Sequence, residues 1–78
     1  MIEKLKIREI YNDFTYKFML NDDEKNVLDL LLKRKKIVAI SLELGMSEPN
    51  VSIIIKKLKN YYQKYEELER LKIKIFNL

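Results

Sequence analysis

The stretch IVAISLELGMSEPNVSIIIKKL, Ile37 to Leu58, decides the fold. It holds the only Gly and the only Pro of the chain, four residues apart, so the strongest breaks in regular structure are concentrated at Gly45 and Pro49. The spacing predicts a short helix from about Ile37 to Leu44, with Ile37, Ile40, Leu44 and Val38 facing inward. Gly45 ends it, because a left-handed residue after a helix costs glycine almost nothing. Ser47 is placed to cap the next helix, and Pro49 falls in the first turn, where a missing N–H is no loss. That helix runs from Glu48 to about Asn60 and buries Val51, Ile54 or Ile55, and Leu58.

Upstream, Asn21-Asp22-Asp23-Glu24 reads as a cap with Glu three positions on and acids in the first turn. Val27, Leu28, Leu31 and Leu32 then recur at helical spacing, giving a helix over about 22 to 34 that ends in Lys33, Arg34, Lys35 and Lys36. Downstream, Leu58, Tyr61, Tyr62, Tyr65 and Leu68 fall within a sector of about 120°, so the helix continues or restarts toward residue 70. After that Leu71, Ile73 and Ile75 alternate with Lys72 and Lys74, as in a short strand or an extended tail. Residues 1–20 fit two patterns. Ile7, Ile10, Tyr11, Phe14 and Phe18 favour a helix; Phe14, Tyr16, Phe18 and Leu20 fit a strand that pairs with the tail.

With 78 residues, the chain is read as one domain: an N-terminal helix or arm over 1–20, a three-helix core over 21–60, and a C-terminal helix and tail over 61–78. The expected class is all-α, a small helical bundle. Such a chain buries only about 60% of its unfolded surface, leaving no room for a deep substrate cavity. There is no Cys and no His, which rules out disulfides, Cys/His zinc sites, thiolate nucleophiles and Ser-His-Asp triads within it. Ser41, Ser47 and Ser52 have no imidazole to activate them, and the chain is not expected to be an enzyme. No metal or cofactor is expected; Asp22, Asp23 and Glu24 suit magnesium less well than they suit a helix start. The longest apolar run, Ile37 to Ile40, is far short of the roughly 20 residues of a membrane span, and MIEKLKIREI is not a signal peptide, so a cytoplasmic protein is expected.

Charge is unevenly placed. The net charge is +4, but residues 33–64 carry eight basic side chains against Glu43 and Glu48, while residues 1–32 carry five basic against seven acidic. A localised positive band suits a polyanion. Lys33 to Lys36 also suit a helix C-terminus or, more weakly, a nuclear-import cluster.

A helix of eight residues, a Gly bend, an apolar plug at Met46 and an apolar face on the next helix are what a helix-turn-helix needs. Here the chain resembles a known family. The L-x-x-x-E opening (Leu20, Glu24), the pair Val27-Leu28, the run from Ile40 to Ser47 and Val51 are similar to the DNA-binding domain of GerE/LuxR-type regulators and to region 4 of bacterial sigma factors. The family commonly has Ala where this chain has Ser41, and its second helix is usually more polar than Ser52-Ile53-Ile54-Ile55.

The resemblance implies that the second helix enters the major groove of double-stranded DNA, with Ser47, Glu48, Asn50, Ser52, Ile53 and Lys56 toward the bases. Asn50 would pair with adenine, Lys56 with guanine, and Ile53 would touch a thymine methyl. Lys35, Lys36, Lys57, Lys59 and Asn60 would lie over phosphates. The function implied is that of a small transcription regulator acting as a homodimer, alone or with RNA polymerase or another regulator. Tyr61, Tyr62, Tyr65 and Leu68 would form the dimer seam, as in the last helix of that family; the same residues would equally complete a monomer core, and their rings could stack on bases. An alternative use of the scaffold is a protein-interaction module that docks onto a polymerase, a packaging enzyme or another regulator, with Ile53 exposed for a partner's groove. The Lys, Ile and Asn content suggests an AT-rich bacterial or phage genome.

Overall fold

The computed structural model describes the backbone of residues 2–76 and the side chains of residues 3–71. Among these every element of regular structure is a helix. A 3-10 helix, Ile2–Lys6, leads into α1 (Arg8–Lys17), α2 (Asp22–Leu32), α3 (Ile37–Leu44) and α4 (Glu48–Phe76).

The expected alternation after Leu71 does not make a strand. α4 runs unbroken through Phe76, with no Gly or Pro after Pro49 to stop it; residues 77–78 of that tail lie outside the described residues. The strand alternative for residues 1–20 likewise gives way to α1. At 29 residues, α4 is about 43 Å long and is the axis on which the others pack.

Local chemistry accounts for the ends. Asn21 Oδ1 accepts from the Glu24 N–H at 2.8 Å and Glu24 Oε1 accepts from the Asn21 N–H at 2.9 Å, the reciprocal cap expected from the sequence. Ser47 Oγ accepts from the Asn50 N–H at 3.3 Å and starts α4. α2 stops two residues earlier than expected, at Leu32, so Arg34, Lys35 and Lys36 lie in the loop to α3. Arg34 is left-handed (φ 63°), Met19 after α1 is left-handed (φ 51°), and Gly45 after α3 has φ 64°. All three turns close in the same way, with an N–H returning to a carbonyl five residues back: Leu20 to Thr15, Lys35 to Leu30 and Met46 to Ser41.

Phe14 is fully buried at the centre of an aromatic cluster. Its ring lies 5.2 Å from Phe18, 6.0 Å from Tyr62 and 5.6 Å from Tyr65, the last perpendicular. Phe18 stacks on Tyr61 at 4.8 Å. The remaining core joins Leu5, Leu20, Val27, Leu28, Leu30, Ile40, Val51, Ile55 and Leu58. Leu30 was not among the residues expected to face inward; it is buried because α2 is covered by the N-terminal 3-10 helix as well as by α4. Two residues expected inside are outside. Val38 is 55% exposed because it lies about 160° around α3 from Ile40, and Ile37 is 38% exposed because it opens the helix beyond the edge of the core.

Candidate nucleic-acid interface

α3 and α4 meet at Gly45-Met46-Ser47 with their axes bent by 111°, within the range of helix-turn-helix pairs. Gly45 makes the bend and Met46, half-buried, packs against the core below it. Ile40 and Val51, both fully buried, pin the two helices. Ser41, the departure from Ala, is buried, and its hydroxyl donates to the Val38 carbonyl at 3.0 Å, so it is accommodated without an unsatisfied polar atom.

This crossing leaves one face of α4 free. Glu48, Asn50, Ser52, Ile53, Lys56, Lys59 and Asn60 are all exposed, as are Lys35 and Lys36 in the preceding loop. Ser47 is exposed too, but its hydroxyl is engaged as the cap of α4. Lys35, Lys36, Lys56 and Lys59 make no ion pair among the described residues.

Lys57 is different. Its ammonium lies 3.0 Å from Glu24 Oε2 and 5.7 Å over the Tyr61 ring. Glu24 is only 5% exposed. Burial pushes its carboxyl up, but the Asn21 N–H and the Lys57 ammonium outweigh burial and hold it below its ordinary value. The Glu24 hydrogen bond and charge in turn raise Lys57. Lys57, expected over a phosphate, is here paired with Glu24, with its side chain still 48% exposed. Glu24 was the residue missed: its place in the cap was legible, but its reach across to α4 was not.

The expected dimer seam is also corrected in part. Tyr62 and Tyr65 are 3% and 7% exposed, packed on Phe14 of their own chain, and Tyr65 donates to Asp13 Oδ2 at 2.8 Å. Tyr61 is half-buried on Phe18. Only Leu68 of the four stands on the surface, 47% exposed. This is the monomer-core alternative for Tyr62 and Tyr65; that α1 would be the element claiming the rings was not legible, because it lies more than forty residues away in the chain.

No single described helix is long and apolar enough to cross a membrane. Comparison of the chain with protein-family models, curated proteins and solved structures gives no match.

Proposed function

We propose that the protein binds double-stranded DNA through the outer face of α4 between Glu48 and Asn60, as a small transcription regulator resembling the GerE/LuxR type. The observation that carries this reading is the 111° crossing at Gly45, which lays the α4 face on an open rim. Unpaired lysines flank that rim. Asn50, Ser52, Ile53 and Lys56 would meet base edges, while Lys35, Lys36, Lys59 and Asn60 would meet phosphates. A homodimer would place two such helices on half-sites about one helical turn apart.

The test is a fluorescence-anisotropy titration of duplex DNA from low to moderate salt. With about three to four phosphates neutralised per subunit, log K should fall with log salt at a slope of about −3 per subunit. A flat response, or no binding at low salt, refutes the proposal.

A second reading, docking to a protein such as RNA polymerase or another regulator, draws on exposed apolar groups on the same motif: Val38 at 55%, Leu42 at 78% and Ile53 at 64%. The pair Lys56→Glu and Lys59→Glu separates the two. It abolishes duplex binding under the first reading and leaves a protein complex intact under the second.

A further inference from the structure

α3 is apolar nearly all round. Ile37, Val38, Ala39, Ile40, Leu42 and Leu44 are hydrophobic, and Glu43 is its only charged side chain. A helix of that composition is normally buried on every side. Here only one side is. Ile40 and Ser41 are buried against the bundle, whereas Val38 and Leu42, one turn apart, each lie about 160° around from Ile40 and are more than half exposed. Ile37 adds a third, partly exposed aliphatic group at the start of the helix. The outer face of α3 is thus an aliphatic rib that nothing among the described residues covers.

Cations stand at one end of this rib. Lys33, Arg34, Lys35 and Lys36 are all exposed, and Lys36 is the residue on which α3 begins. Lys35 and Lys36 make no ion pair among the described residues. A partner that complements this end is therefore anionic.

Shape and area decide what the rib fits. α3 is about 12 Å long and about 10 Å across, so its outer face falls far short of the roughly 800 Å² that each partner gives to a stable protein interface. That argues against a second copy of the chain as well as against a separate protein. A lipid surface sets no such requirement. It takes aliphatic side chains singly into the boundary between headgroups and acyl chains, and it gains from every nearby cation when the lipids are anionic. The long stems of lysine and arginine let the charges reach lipid phosphates while the aliphatic groups sit deeper.

We propose that α3 docks on an anionic lipid surface through Val38 and Leu42, held there by Lys33, Arg34, Lys35 and Lys36. The chain rests on the membrane and does not span it. This goes beyond the DNA reading, with which it shares Lys35 and Lys36.

Sedimentation of the full chain with vesicles tests this, using phosphatidylcholine alone and equal parts phosphatidylcholine and phosphatidylglycerol. Wild type should sediment with the mixed vesicles and stay in solution with phosphatidylcholine. Lys35→Gln and Lys36→Gln should each weaken binding about fivefold. Leu42→Gln, which leaves the charge unchanged, should weaken it about tenfold, whereas Leu68→Gln on α4 should bind as wild type does. Val38→Gln repeats the test on the same face if circular dichroism shows Leu42→Gln unfolded. Failure of wild type to sediment with the mixed vesicles overturns the proposal and leaves the face to a protein groove. A wild-type dimer in solution that Leu42→Gln dissociates gives the face to a second copy and overturns it too. Binding that falls with the lysine variants while Leu42→Gln matches wild type is charge attraction alone, and also overturns it. Leu42 lies off the α4 face, so none of these results turns on whether the protein binds DNA.

Discussion

The Lys57 ammonium of α4 rests 3.0 Å from the buried carboxylate of Glu24, the residue that also caps α2. One side chain thus links the start of α2 to α4, whose outward face is set by the burial of Val51, Ile55 and Leu58 on its other side. The carboxyl of Glu24 titrates below its ordinary 4.5 in the folded state, so the unfolded chain takes up that proton first. Its contribution is complete above about 4.5 and is lost as pH falls through the folded value. Glu24→Gln should cost about 1–2 kcal/mol near neutral pH and flatten the acid limb of the stability curve, read by urea unfolding from pH 3 to 7.

Lys57→Gln and Lys59→Gln should part company in DNA binding. Removing Lys59, which has no acidic partner among the described residues, should lower the salt slope by about 1. Removing Lys57 should leave the slope unchanged while moving the acid transition to higher pH, because the Glu24 carboxyl loses its cation. A slope that falls equally in both variants would return Lys57 to the phosphates.

The aromatic cluster around Phe14 should dominate stability. Phe14→Ala should cost about 3–5 kcal/mol, enough to unfold much of so small a domain at room temperature. Leu68→Asp, on the surface, should stay within about 0.5 kcal/mol of wild type as a monomer. Thermal unfolding by circular dichroism separates the two. Comparable losses would contradict the placement of the tyrosine face against α1.

Three tyrosines should ionise late, Tyr62 among them because burial raises it. Burial, and then donation to Asp29 at 2.6 Å, pushes Tyr11 up to about 12; burial, and then donation to Asp13, does the same for Tyr65. Because these folded values lie above the unfolded value of 10.0, their contribution is intact below it and disappears as pH rises toward about 12. Spectrophotometric titration should show the late phenolates, and Tyr65→Phe should remove one.

The left-handed positions offer a stability test free of function. Met19→Gly and Arg34→Gly relieve a β-carbon at φ 51° and 63° and should each stabilise by about 0.5–1 kcal/mol. Gly45→Ala has open space around the new methyl, with nothing within 4 Å, so its cost of about 1 kcal/mol is backbone strain alone. Denaturant midpoints at constant m-value provide the measurement.

From the order of residues alone came whatever depends on near neighbours. The Asn21-to-Glu24 cap, the Gly45 bend, Ser47 opening α4 and the inward set of Ile40, Val51 and Leu58 are each decided within a few residues of chain, by dihedral preference and helical period. Only the tertiary structure could assign side chains claimed from a distance. Phe14 draws Tyr62 and Tyr65 inward across more than forty residues, and Glu24 takes Lys57 out of the free lysines across 33. The α1 helix prevailed over an equally periodic strand because its apolar side chains found the tyrosines of α4 to pack on. Periodicity says which side chains share a face; what that face meets is settled by packing between elements that the sequence keeps apart.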